Sequence, residues 1–590
     1  MRRLFLIIAW TGLLWTGLVL ATDGFTFSIA GVRVSSQRPL NPALFALMAS
    51  AAWVLSARGQ HRLLADDLRE LAAPGLALGI AGLVITVGFM QGALVAGGSD
   101  AYGYVSQAEA WATGKIRFDE PLIREFAGRV DRDVFVPLGY HGIGEAGAVV
   151  PMYPPGFPMV MGVFQRVAGR EAVFYVVPLL AGVAILTTYI MGLRVAGKTV
   201  GVAAAALLAA SPSFLFQTTA APMSDVPVTA WWALALALGL SSHPGAALLS
   251  GLAASLAIVT RPNLAPLALI PFVTMTWERF RHGSGPRRIG WMAAYVAGVV
   301  PGCVAVGTLN AMWYGSPFIS GYGSLSSIYD WRNVVPNLVR YPVWVAQSET
   351  PLVLLACVAA PWLVTRSPHS SRIGLRAPLV AMSWVAFIIA VLVLYLPYEA
   401  FNAWWFVRFM LPAFPPLLVL TAVSVVALCE PLSPWLRIVV PTAIFAVMVW
   451  YGLDYARDHD VFLARREQKY AAAADYVARR LPPKAAVLSM MHSGSVRYYS
   501  GRATIRFDLI PPAALDTTLA TLADAGYRPF ILVEPFEVPQ FQKRYTGFSA
   551  LARLDWPPIA HLQASNIKIY DPADRPAFLA GRPPLTEIVP

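Results

Sequence analysis

Helix-length runs of apolar residues recur along this chain, separated by short polar stretches, and within a run no polar face returns at regular spacing. The stretch "LVITVGFMQGALVA" is typical. Continuous apolar runs of about 18 residues predict membrane-crossing helices, because only a helix or a closed barrel satisfies the backbone in lipid, and barrel strands would alternate with period two. About thirteen spans are predicted, near 4–21, 40–57, 72–96, 172–193, 199–216, 226–241, 245–260, 262–277, 290–312, 343–364, 377–397, 408–428 and 436–454. The pair flanking "TRPN" (Thr260 to Asn263) reads equally as one interrupted helix. From about Tyr455 the pattern changes to charged, proline-punctuated sequence. There "LARREQKYAAAADYVARRL" and "AALDTTLATLADAG" predict helices, and "KAAVLSM", "ATIRFDL" and "PFILVE" predict strands of a small α/β domain.

Charge placement adds an orientation. With the N-terminus in the cytoplasm, "MRR", "RGQHRLLADDLRE", "LRVAGK", "RFRHGSGPRR" and "TRSPHSSRIGLR" all fall inside, as the positive-inside rule requires. The loop 97–170, the loop holding Asp225 and everything after Tyr455 then lie outside. Three parts follow. Residues 1–71 carry two additional N-terminal spans and a cytoplasmic loop, 72–455 form the transmembrane core, and 456–590 form the outer α/β domain.

Composition narrows the class. With 57% hydrophobic and 13% charged residues, the chain is not an ordinary soluble enzyme. Its formal charge of +12 is spread between apolar runs rather than gathered in a basic stripe, so nucleic acid is not an expected partner. Cys303, Cys357 and Cys429 all fall inside apolar segments, without metal spacing or a disulfide framework. The first apolar stretch is too long for a typical signal-peptide core and reads as a retained helix. No P-loop, HExxH, paired CxxC, hydrolase elbow or GxGxxG after the first tail strand is present, and "DRD" (Asp131 to Asp133) closes no α/β strand.

Candidate chemistry gathers at the ends of spans. "GGSDAYGYVSQAEAW" puts Asp100 directly after an apolar run. The following helix, beginning near Tyr102, sets Tyr104, Val105, Ala108, Trp111 and Ala112 on one side and Tyr102, Ser106, Glu109 and Thr113 on the other. That pattern suits a helix lying in the interface plane. Asp100 reads either as a general base toward an acceptor hydroxyl or as an N-cap. Asp225 in "MSDVP" carries the same two readings, same-side acid or cap. Arg408, in "WWFVRFMLP", is a phosphate fork or a snorkelling anchor, and Arg261 in "VTRPN" is a further candidate of the same kind. "YPPGFPMVMG", with Tyr153 at its start, is a rigid lead-in to a helix, and His141 in "GYHGIGEAG" is a possible substrate contact.

Taken in order, these stretches resemble the GT-C class of membrane glycosyltransferases, nearest its protein-mannosyltransferase, aminoarabinose-transferase and RgtA-like group. The likeness joins "GGSDAYGYVSQAEAW", "YPPGFPMVMG", "SPSFLFQTTAAPMSDVP", "GLAASLAIVTRP", "NAMWYGSPFISGYG" and "VRFMLPAFPP", and covers roughly 72–455. It implies a GT-C-like polytopic helical fold and an inverting transfer of a sugar from a polyprenyl-phosphate carrier. The acceptor is then a lipid, glycan or protein hydroxyl, met at the periplasmic face of a bacterial inner membrane. Asp100 becomes the general base, Arg408 a donor-phosphate contact and Asp225 a second site acid; Tyr102, Tyr104, Glu109, His141, Tyr153 and Arg261 join the expected substrate-binding set. "SDAY" departs from the acidic pair of some relatives, which leaves a divalent cation open and no other cofactor expected. The competing readings are a transporter or flippase of lipid-linked sugars, which would show repeated halves with mid-membrane charges, and a non-catalytic membrane scaffold.

Overall fold

The computed structural model describes the whole chain except residues 1, 22–24, 30–31, 57–60, 144–146, 242–243, 283–286, 365–376 and 463. Every predicted apolar window falls wholly or partly on helix. Length decides which of them suffice to cross a bilayer. Among the described residues six single helices are long and apolar enough, and up to eight spans result if each of two bent pairs is one span. The count of thirteen is therefore not reproduced.

The shortfall has local causes. The 199–216 window breaks at Ser211, where helix Lys198–Ala210 turns by 58° into Pro212–Thr219. Ser211 is extended, caps the Phe214 N–H with its hydroxyl and precedes a proline, which is suited to the first turn of a new helix. The 343–364 window breaks by 98° at Thr350–Pro351, where Thr350 takes φ +76°. The windows at 40–57, 226–241 and 245–260 give helices of 17, 15 and 17 residues. Around "TRPN" the chain does not continue as one helix: Pro244–Thr260 ends, and a 3-10 turn Pro262–Ala268 carries Pro266 before helix Leu269–His282 begins.

Burial divides the spans into an axis and a ring. The most apolar windows within Arg170–Ala196 and Trp404–Cys429 are 72% and 83% buried, whereas those of Gly290–Tyr314 and Leu436–Asp458 are each 22% buried. The ring helices expose large apolar side chains such as Val300, Val304, Ile438, Val447 and Trp450. Such faces are stable only against lipid. The chain is a polytopic membrane protein.

The loop after the Glu70–Gln91 span and the C-terminal residues form a second layer. The loop carries a three-stranded antiparallel sheet in the order Phe118–Asp119, Ala148–Pro151, Tyr140–Ile143. From Ala464 onward the chain builds a six-stranded sheet, in the order Glu587–Val589, Ala560–Leu562, Ile567–Tyr570, Arg528–Val533, Ala485–Leu488, Ala503–Ile505. The three predicted tail strands fall on strands of this sheet, and the two predicted helices fall on Ala464–Arg480 and Leu515–Asp524. Loop and tail share one apolar core, in which Phe126, Phe135 and Tyr140 pack with Ile505, Phe507 and Leu519. A buried Arg497–Glu120 ion pair and the Arg506 N–H to Val134 C=O bond of 2.8 Å tie them further. Both therefore lie at the same end of the helical core.

The helix Asp100–Ala112 is not a surface helix. Tyr102, Tyr104, Val105, Ser106, Gln107 and Ala108 are all buried, because the face predicted to be polar packs against the C-terminal layer and the other against the spans. Ser106 satisfies its hydroxyl internally, bonding the Tyr102 carbonyl and the Tyr140 hydroxyl at 2.6 Å each.

Candidate active site

Asp100 opens its helix, but its carboxylate does not cap it. The cap position belongs to Ser99, whose side chain makes no capping bond. The carboxylate instead accepts a 2.5 Å hydrogen bond from the Tyr153 hydroxyl. Tyr153 is also bonded to the Ser99 hydroxyl at 2.7 Å. Burial, and then the nearby Asp100 charge, push its phenol well above the ordinary range, so it stays a donor. One oxygen of Asp100 is thus committed to Tyr153.

Two glycines let these elements meet. A β-carbon at Gly103 would stand 2.4 Å from the Tyr153 ring. One at Gly156, in the proline-rich stretch, would stand 2.5 Å from the backbone of Val259 and Thr260. Helix Gly156–Ala168 can therefore lie directly on the end of Pro244–Thr260, which delivers Arg261 to the same region.

Arg261 is extended between two helices, and every direction of its guanidinium is answered. Nη2 stands 2.6 Å from Asp225 Oδ1, Nε donates to the Ser224 hydroxyl at 3.2 Å and Nη1 to the Tyr395 hydroxyl at 3.2 Å. Asp225 is fully buried, and its oxygens accept no aligned hydrogen bond from the described residues, so the Arg261 contact works through charge proximity. Its burial places Asp225 behind Arg261 rather than on the cavity wall.

Arg408 presents a different picture. It sits in the 3-10 segment Trp404–Ala413, with its guanidinium carbon 5.3 Å from the Phe406 ring centre and 5.2 Å from that of Phe409. Its Nε is buried and has no hydrogen-bond partner among the described residues. Aromatic faces hold the cation in place without neutralising it.

Asp100, Tyr104, Arg261 and Arg408 line one cleft that is partly open to solvent. Ser224, Thr260, Asn263, Tyr322, Tyr395 and Tyr398 complete the polar lining. Of the residues expected from sequence, these four line the cleft, Tyr153 touches Asp100 and Asp225 backs Arg261. Three are placed elsewhere. Tyr102 packs against Gly494 of the C-terminal layer, Glu109 pairs with Arg170 at 3.4 Å, and His141 bonds the Gly321 carbonyl through Nε2 at 2.6 Å. The sequence reading missed Ser224, Tyr322, Tyr395 and Tyr398. Their available signal was adjacency to quoted motifs, in "MSDVP", "FISGYG" and the "YLPYEAF" that precedes Arg408.

The donor set does not suit a protein-held metal. Among the described residues no three His, Cys, Asp or Glu side chains converge, and the second carboxylate near Asp100 is turned to Arg261. A divalent cation has no such cradle here.

No protein-family profile and no curated protein sequence matches the chain. Similar solved structures exist. ArnT from Cupriavidus metallidurans bound to undecaprenyl phosphate is 14% identical, over 79% of this chain and 94% of that one, with a TM-score of 0.48. The same protein in the apo state is 14% identical over 84% and 98%, with a TM-score of 0.49. The apo oligosaccharyltransferase of Archaeoglobus fulgidus is 12% identical over 85% and 75%, also at 0.49. These neighbours are of the kind that the motif resemblance names. At such identities, a functional reading rests on the side chains of the cleft itself.

Proposed function

We propose that this protein is an inverting glycosyltransferase that takes a sugar from a polyprenyl-phosphate carrier and passes it to an acceptor hydroxyl, at the periplasmic face of a bacterial inner membrane. One observation supports it most. A carboxylate and two arginines, separated by 161 and 147 positions as Asp100, Arg261 and Arg408, line a single cleft at one end of an apolar helical core.

Each part has a role in that reaction. A carrier with a long hydrocarbon tail stays in the bilayer, since exposing it costs about 0.8 kcal/mol per CH₂, so the reacting head must be met where lipid ends. Asp100 takes the proton of the acceptor hydroxyl as that oxygen attacks the anomeric carbon from the face opposite the phosphate. The new C–O bond forms, the bond from the anomeric carbon to the phosphate oxygen breaks, and the electron pair leaves on the phosphate. Arg408, whose Nε has no partner among the described residues, and Arg261 oppose the charge that grows there. Tyr153 fixes the orientation of Asp100, and Asp225 fixes that of Arg261. ArnT bound to undecaprenyl phosphate lends the carrier class its support.

The test is transfer in proteoliposomes from a polyprenyl-phosphate sugar to a soluble or lipid acceptor pool. Asp100→Asn is expected to lower kcat by about 10² to 10⁴, the range of general-base catalysis, with carrier binding retained. Full transfer by that variant overturns the proposal, and lipid-sugar translocation without transfer favours the transporter.

A further inference from the structure

The C-terminal sheet has a topology that normally creates a ligand site. Strand Ala485–Leu488 has parallel neighbours on both sides, Ala503–Ile505 and Arg528–Val533. The chain reaches the first through helix Ser493–Ser500 and the second through helix Leu515–Asp524. Strand order therefore reverses at Ala485–Leu488. In open parallel sheets, ligands sit beyond the carboxyl ends of the strands at such a reversal.

Here the carboxyl ends are the loops Ser489–His492 and Glu534–Glu537. Buried acids stitch them together. Glu537 accepts the Met491 N–H at 3.0 Å and the Glu534 N–H at 2.8 Å. Glu534 in turn holds His492 Nε2 at 2.9 Å and Lys469 Nζ at 2.6 Å. Burial pushes the Glu537 carboxyl up from its ordinary range, a price normally accepted only for a defined job. A segment of the same chain approaches this crevice.

That segment is the turn leading into Asp100. A β-carbon at Gly97 would stand 2.2 Å from the Tyr470 ring, and at Gly98, with φ +57°, one would lie 3.6 Å from the Met491 methyl. The Tyr499 hydroxyl accepts the Ala96 N–H at 2.8 Å. Beyond Asp100, a β-carbon at Gly494 would stand 2.2 Å from the Tyr102 ring. Contacts from the tail thus bracket Asp100 on both sides within seven residues of chain, 96–102. Tyr470, buried, lies over His492 with ring centres 4.7 Å apart, so the acid–histidine cluster backs the one ring that closes on Gly97.

We infer that the switch-point crevice of the C-terminal sheet takes the Gly97–Gly98 turn as its occupant, and that Tyr470 is thereby a positioning residue for Asp100. This rests on the reading of Asp100 as the base. A misplacement of about 1 Å in a reacting group costs on the order of 10² in rate, which is enough to make such a seat matter.

Reciprocal packing variants test it in the intact protein. Gly97→Ala forces the turn or Tyr470 to move and is expected to lower kcat about tenfold or more, with KM for the polyprenyl-phosphate sugar within about twofold. In a Tyr470→Ala background the added methyl has room, so the same substitution is expected to cost less than about threefold there, with rates taken per folded enzyme so that shared stability effects drop out. An equal cost in both backgrounds, or none in either, overturns the inference. Should Gly97→Ala fail to fold, Tyr499→Phe removes only the bond to Ala96. It is expected to speed amide exchange across 96–100 and to lower kcat a few-fold, and unchanged exchange and rate overturn the seat. Asp100→Asn run beside these separates the two readings. Loss of transfer there with Gly97→Ala indifferent sinks the seat alone, whereas full transfer by Asp100→Asn sinks the functional reading beneath it.

Discussion

Two clusters of acid and arginine stand at opposite ends of the helix His61–Gln91 and its extension to Asp100. At 31 residues this helix is about 46 Å long. At its start, buried Asp67 is gripped by Arg2, by Arg3 and by the Trp53 indole N–H at 3.2 Å, and Arg3 also reaches Glu70 at 2.8 Å. Beyond its far end, the cleft holds Asp100 with one oxygen committed and Arg408 with a buried Nε that no described residue answers. The first cluster is closed, and its groups answer one another. The second is left open at two points that match the two ends of a group transfer, a proton to be taken and a charge to be met. Saturation, not the mere presence of charge, separates a structural ion cluster from a working one.

The sharpest way to break that contrast is to open a closed pair inside the cleft. Asp225→Ala leaves Arg261 as a buried charge with two hydroxyls and the Phe409 ring but no acid partner among the described residues, the situation in which loss of one member of a buried pair costs about 3–5 kcal/mol. The expected result is a large drop in thermal midpoint of the detergent-solubilised protein. Asp225→Asn, which keeps shape, should recover part of it. If stability is unchanged while transfer falls, Asp225 faces substrate rather than Arg261, and the assignment of Asp225 as the support of Arg261 is wrong.

Next in size is the open arginine. Arg408→Ala is expected to reduce kcat/KM for the carrier by about 10- to 100-fold, since it removes a donor aimed at developing charge. Stability should move little, because the residue has aromatic faces but no acid partner among the described residues. Arg408→Lys keeps the charge and loses the fork, so it should recover only part of the rate. Equal losses of stability and activity would make Arg408 another closed structural group, and the contrast between the clusters would fail.

How much of this was readable in advance follows from the range of the forces involved. Apolar windows are local, so the helices were legible, and so were Asp100, Arg261 and Arg408, which stand at the ends of apolar runs. The breaks at Ser211 and Thr350–Pro351 were not, because a proline after an apolar run fits both a bend and a loop. Tyr102 and Glu109 were drawn to the site by proximity in sequence and His141 by its place in the same outer loop, but a helix turns successive side chains through about 100° and sends Tyr102 and Tyr104 to opposite walls. The pairing of Asp225 with Arg261 joins residues 36 positions apart across two helices and a loop, which no spacing rule encodes. The glycine pair before Asp100 was in plain view, yet its reason lies in Tyr470, far along the chain.

The smallest expected effect concerns the closed cluster and turns on sign. The Arg2 guanidinium, aided by Trp53 and Arg3 and opposed by burial, lowers the Asp67 carboxyl from its ordinary range to about 2. Because the folded value lies below the unfolded one of about 3.9, the folded state favours the charged form, and the stabilisation is present above that unfolded value. It is lost as pH falls from about 4 toward 2, when the proton removes the charge that Arg2 and Arg3 hold. Thermal midpoints measured from pH 6 down to pH 3 should therefore fall more steeply for the wild type than for Asp67→Asn, whose amide has no proton to gain. Parallel curves would mean that Asp67 is not held by charge, and the cluster would then be closed by packing alone.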